Sequence, residues 1–161
     1  MQLHCENQLL HNSFSLFQNK KLISTLDEKK WLNTILGSWK GQKFIFKYTS
    51  IWNTTKVKIC TDEYKKIGEI KWNLLKNKAS IVINDKRYTW SYKSLIGNKW
   101  QIKDQNEVIV DYTTNFSTGS ISSSSENGLL FLTGLTIHQF HYQSVALLIC
   151  TLIPVISSFI A

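Results

Sequence analysis

The last charged residue is Glu126, and the 35 residues from Asn127 to Ala161 hold no Lys, Arg, Asp or Glu. Where such a stretch is also apolar on every side it has to leave water, for lipid or for the interior of a protein. Its final part, VALLICTLIPVISSFIA (145–161), is apolar on every side of a helix. Seventeen residues at helical rise reach about 26 Å, a little short of the roughly 30 Å hydrocarbon core of a bilayer. An anchored helix usually carries Lys or Arg near one end, and no basic residue follows Lys103. The segment therefore reads as a core helix, about residues 143–160, with tail anchoring by residues 145–161 as the alternative. Pro154 either kinks that helix or ends it.

What precedes it supplies something to fill. From Lys40 onward the chain is a succession of short runs rich in Val, Ile, Thr, Trp, Tyr and Phe, separated by polar turn residues. KFIFKYTSI (43–51) leads to KVKICT (56–61) and IGEIKWN (67–73), which read as a hairpin. ASIVIN (79–84) and RYTWSY (87–92) meet across Asp85-Lys86, and KWQIKD (99–104) and EVIVDYT (107–113) across Gln105-Asn106. TGSISSSS (118–125) and GLLFLTGLTI (128–137) are expected to form a last strand pair, the serines being a strand end plus turn. Tyr88, Trp90 and Tyr92 share one face of their strand. With one further strand near residues 20–25 the count is about ten, and repeated hairpins of this length point to a barrel or sandwich. Residues 1–38 are expected to be an N-terminal segment packed on or leading into the barrel, with a short helix over DEKKWLNTIL (27–36), where Asp27 offers an N-cap. The domain proper is then 39–161.

A chain of 161 residues, 43% hydrophobic, buries a core as one domain and excludes a disordered tail or a disulfide miniprotein. Cys5, Cys60 and Cys150 lie far apart with no CxxC spacing, which speaks against structural zinc and for a reducing, intracellular location. The first residues, MQLHCENQLL, show no basic n-region before a long apolar run, so no signal peptide is expected.

The strand rhythm through IGEIKW (67–72), RYTWSY (87–92), KWQIKD (99–104) and GLLFLTGLTI (128–137), ending in an all-apolar helix, resembles the tubby C-terminal-like superfamily. That group holds tubby domains, phospholipid scramblases and LURP-one-related proteins. The resemblance covers roughly residues 40–161. It implies a mainly β fold, an antiparallel meander closing into a barrel around a hydrophobic C-terminal α-helix, and binding at the inner face of a membrane. Tubby domains hold phosphoinositide headgroups through basic residues, and scramblases are linked to lipid movement and a calcium site. The headgroup residues have no matching local motif in this chain, and no acidic run with calcium-ligand spacing follows the strands.

The net charge of +8 lies within the first 126 residues, and 18 of the 19 basic residues are Lys, Arg87 being the exception. Lys is a hydrated point charge, less suited than Arg to bidentate phosphate and base contacts, so a nucleic-acid partner is disfavoured. Lys56, Lys58, Lys71, Lys86 and Arg87 are the candidate patch for an anionic phospholipid or membrane surface, to which each Lys contributes about 1 kcal/mol. The plainer reading is a solvated outer face. A protein partner is the other expectation. His138, His141 and Tyr142 form a polar cluster in the apolar end, expected as a capping turn between the last strand and the helix rather than a metal site. The six Trp residues are expected mostly in the core. No GxSxG, Gly-rich phosphate loop or HExxH is present, so the expectation is a non-enzymatic binding domain without cofactor or metal, in the cytoplasm or peripheral to a membrane.

Overall fold

The runs of β-branched and aromatic residues do become a meander, and it closes on itself. A computed structural model describes residues 1–8, 13–49, 56–73, 77–94, 97–115 and 117–160, with helix side chains described continuously to Ser144. The strands are β1 (Gln2–Gln8), β2 (Ser13–Gln18), β3 (Lys21–Lys29), β4 (Thr34–Trp39), β5 (Gln42–Tyr48) and β6 (Lys56–Thr61). They continue as β7 (Lys66–Asn73), β8 (Lys78–Ile83), β9 (Lys86–Tyr92), β10 (Lys99–Asp104), β11 (Glu107–Thr114) and β12 (Thr118–Ser123). Each pairs antiparallel with its sequence neighbour, and β1 pairs with β12, with Leu3 opposite Ile121, to complete a closed barrel.

The N-terminal segment therefore belongs to the barrel and is not a helical appendage. The expected helix at 27–36 is the end of β3, a 3-10 turn at Lys30–Leu32 and the start of β4. Alternation decides it: Leu26 and Glu28, then Ile35 and Trp39, point inward and are buried. Trp31 and Leu32, the apolar residues that suggested a helix face, sit on the turn and are 101% and 71% exposed. Asn33 closes the turn in the left-handed region at φ 47°.

The second correction concerns the end of the chain. Residues 128–137 are not a strand but the start of helix α1, which runs from Gly128 to Ile160 without a break. Asn127 caps it, its Oδ1 accepting from the Leu129 amide at 3.1 Å. The serines before it make the turn: Ser123 Oγ donates to the Ile109 carbonyl at 2.7 Å and accepts from the Ser125 amide at 2.9 Å. Twelve strands enclose a lumen wider than side chains alone fill, and the first turns of α1 occupy it. Leu130, Phe131, Leu132, Leu135, Ile137 and Phe140 are all buried.

The filling part, residues 128–140, is about 20 Å of helix axis. Strands of six residues are about as long, so this portion spans the barrel. Its contacts run from one end to the other. Phe131 meets Trp39 edge-on at 5.1 Å where β4 ends, and Phe140 meets Tyr48 at 4.8 Å where β5 ends on the opposite side. Midway, the Tyr112 hydroxyl donates to the Leu130 carbonyl at 3.0 Å. The helix passes there as Gly134, where a Cβ would overlap the Tyr112 hydroxyl. The expected core helix of 143–160 is thus displaced toward the N-terminus, and most side chains of 145–160 lie outside the described residues. Among the described residues, no helix is long and apolar enough to cross a membrane.

The two ends of the barrel differ. The strands β2 and β3, β4 and β5, β8 and β9, and β10 and β11 are joined at one end by two-residue turns. Left-handed residues such as Asn19, Lys40, Gly41, Asn84, Asp85 and Gln105 fit the twist of hairpin turns. We call this the tight end; α1 enters here. At the other, open end the connections are longer, and α1 leaves.

Candidate functional site

Strand register sorts the predicted basic residues. Lys56 stands directly opposite Lys71 on β7. Lys58, two residues on and so on the same face, stands between Lys47 of β5 and Glu69 of β7. Through Val82 that row reaches Arg87. The row of Lys56 and Lys71 continues through Ser80 and Thr89 to Lys103. Lys56, Lys58, Lys71 and Arg87 therefore share one outer face of β6–β9. Lys86 does not join them: it has the inward parity of Tyr88 and Trp90 and emerges at the rim of the tight end, beside the Asn84-Asp85 turn.

These two rows hold Lys47, Lys56, Lys58, Lys71, Arg87 and Lys103 against a single carboxylate, Glu69. Hydrogen bonds from Lys66 at 2.9 Å and Lys71 at 3.0 Å pull the Glu69 carboxyl down to about 2. Lys47 Nζ lies 4.2 Å over the Tyr64 ring. Like charges directly opposite each other weaken a sheet. The Lys56–Lys71 and Lys47–Lys58 pairs are thus an arrangement that a bound anion relieves.

Inside, Trp90 and Trp100 are core, as expected, both fully buried, and Trp39 is buried with them, whereas Trp72 is partly buried and Trp31 is exposed on its turn; Trp52 lies outside the described residues. The histidines sit on α1 rather than on a capping turn. His138 stacks on Trp100 at 3.9 Å between ring centroids and pairs through Nδ1 with the Tyr92 hydroxyl at 3.1 Å. His141 stacks on Trp72 at 5.8 Å. Burial lowers the proton affinity of both, and His138, with His141 beside it, falls to about 4. Both are neutral near pH 7. Among the described residues no group of three His, Cys, Asp or Glu side chains is placed to hold a metal.

At the open end α1 is held by a buried carboxylate. Glu28 accepts from Tyr48 at 2.8 Å, from Gln139 Nε2 at 3.0 Å and from Gln143 Nε2 at 2.8 Å. Burial, and after it the hydrogen bond to Glu28 and that carboxylate's charge, raise the Tyr48 hydroxyl well above its ordinary value. Beside this clamp is a cavity of about 600 Å³, walled by α1, β1, β2 and the loops after β9 and β11. Sequence reasoning missed both features. Glu28 had one available signal, an acidic residue on the inward parity of Leu26; the cavity had none, because separate segments supply its ordinary polar residues.

No protein-family model matches the chain, and no curated protein does. Among solved structures, the chain is similar to the X-ray structure of a protein from Arabidopsis thaliana, AT5G01750, with a TM-score of 0.58 and 9% identity over 84% of this chain and 88% of that one. At that identity the likeness shows the barrel fold alone.

Proposed function

We propose that the chain is a diverged member of the tubby-like group, in which LURP-one-related and scramblase-like barrels also fall. On this reading it is a non-enzymatic module that associates peripherally with anionic phospholipid through the outer face of β5–β9. One observation carries the reading: two pairs of opposed lysines, Lys56 with Lys71 and Lys47 with Lys58, on a face with one carboxylate. Lysine rows at a surface bind anionic lipid by summed point charges rather than by shape, so the attachment is reversible and weakened by salt. The test is sedimentation with phosphatidylcholine vesicles, with and without phosphatidylserine. Binding is expected only with phosphatidylserine. Changing Lys56, Lys58 and Lys71 together to Glu removes about 3 kcal/mol or more, on the order of a hundredfold, without unfolding the barrel. Equal binding by the triple variant dismisses the face, and binding to neither vesicle leaves a protein as the partner.

A second reading has its own observation. Because residues 128–140 are the part that spans the barrel, the apolar stretch 145–160 continues the same helix beyond the filled lumen. That stretch is then available as a tail anchor. A chain ending at Ser144 that loses all vesicle binding, while the triple variant keeps it, selects this reading over the basic face.

A further inference from the structure

The cavity at the open end differs in chemistry from the rest of the molecule. The protein carries +8 overall, yet among the described residues the cavity wall contains no Lys, Arg, Asp or Glu, and its His138 is neutral near pH 7. Its polar groups are mainly carboxamides, from Asn7, Asn98 and Asn115 on the barrel loops and strands and from Gln139 and Gln143 on α1. Its apolar part is Phe14 and Cys5, both buried, with the exposed Tyr142 at the rim. A volume of about 600 Å³ lies within the range that encloses small organic ligands.

The local hydrogen bonds restrict what such a ligand offers. Gln143 commits its amide nitrogen to Glu28 at 2.8 Å, and its Oε1 is buried away from the cavity space with no hydrogen-bond partner among the described residues. Asn98 uses Oδ1 to accept from Ser94 at 2.8 Å, which orients its amide as a donor. A ligand filling the cavity therefore meets the Asn98 amide as a donor and the carboxamides of Asn7 and Asn115, each a group that both donates and accepts, around an apolar floor. A charged ligand would lose its water there with no opposite charge to replace it. Glu28, behind the two glutamines, already has three donors and is screened by them.

The geometry points to a binding site for an uncharged, flat amphipathic small molecule, one with an aromatic or otherwise apolar body and an amide-like edge that both donates and accepts. This site is separate from the basic face and would hold whether or not that face binds lipid.

The full-length protein, labelled with ¹⁵N, would be titrated with three probes of one skeleton: indole-3-acetamide, indole-3-acetate and tryptamine. Side-chain amide and backbone resonances of Asn98, Asn115 and Gln143 report the site. The amide is expected to shift them saturably and to bind at least about tenfold more tightly than the anion or the cation. Thr118→Trp, which places a large ring at the exposed rim, abolishes those shifts. Asn98→Asp, which keeps an acceptor for Ser94 but adds a charge, turns the preference toward tryptamine. The Lys56, Lys58 and Lys71 triple Glu variant binds the amide like the parent chain. No saturable binding of the amide, equal binding of all three probes, or a preference unchanged by Asn98→Asp overturns the assignment. If Thr118→Trp does not fold, Asn98→Asp decides alone.

Discussion

The tight end and the open end of the barrel use the same strands and solve different problems. At the tight end two-residue turns with left-handed residues fix four of the hairpins, Ser123 ties the last strand to Ile109, and Asn127 starts α1 directly against Trp39. Nothing there is spacious. At the open end the connections lengthen, polar atoms enter the interior, and α1 is held by hydrogen bonds to Glu28 as well as by aromatic contacts. Apolar packing is tolerant of solvent conditions but not of lost volume, whereas a polar clamp beside a cavity is sensitive to protonation and open to ligands. The comparison thus places register and rigidity at one end and chemistry at the other.

Removing the helix tests it most severely. A chain ending at Asn127 lacks the filling of a twelve-stranded lumen and is expected to show no cooperative unfolding transition, whereas one ending at Ser144 keeps residues 128–140 and unfolds cooperatively near the full-length midpoint. Failure of the Ser144 chain to fold would mean that the stretch beyond the barrel carries stability the comparison denies it. Next in size is Phe131→Ala near the tight end, where a fully buried ring packs on Trp39. A loss of about 3–5 kcal/mol is expected in denaturant titrations, and a loss under about 1 kcal/mol would show that the lumen collapses around the hole.

The open end is sharpened by pH. His138 is neutral when folded, with its value lowered from 6.5 to about 4 by burial and by His141. Its contribution is therefore fully present above about 6.5 and lost as the pH falls toward 4, a span of about 3 kcal/mol. His138→Phe keeps a ring against Trp100 and should flatten much of the stability profile between those values; an unchanged slope would assign it to other groups. The smallest effect belongs to a tight-end turn. Gly41 has φ 87° and open space around an added Cβ, so Gly41→Ala costs only backbone strain, about 1 kcal/mol in unfolding free energy. A much larger loss would reveal a contact that the turn does not show.

How much of this is readable from the residues depends on whether a pattern alternates. Tyr88, Trp90 and Ile102 alternate with polar neighbours, and their strands and burial follow directly. In GLLFLTGLTI every side chain is buried, so the run has no polar face to set a period of two or of 3.6, and its β-branched residues favour the wrong answer. The N-terminal strands hide for another reason: Trp31 and Leu32 are exposed on a turn and imitate a helical stripe. For the candidate site, the outward lysines of β6 and β7 follow from alternation. Lys86 was misplaced because a residue read as part of a turn is the first of a strand, with inward parity. The cavity depends on which loops closure brings together, and no local pattern encodes that.

Closure itself has a consequence in time. The amino group of Met1 reaches the carbonyl of Ser123 across a separation of 122 residues, and β1 has β12 as one of its two partners. At ribosomal speeds of about 5–20 residues per second, β12 is made roughly 6–24 s after β1, while a hairpin forms in microseconds. During synthesis the nascent chain therefore exists for seconds as an open sheet with one edge of β1 bare, able to capture a strand from a neighbour. The segment that fills the lumen is translated directly after the strand that seals it, so sealing and filling fall together, after all the other strands have been made.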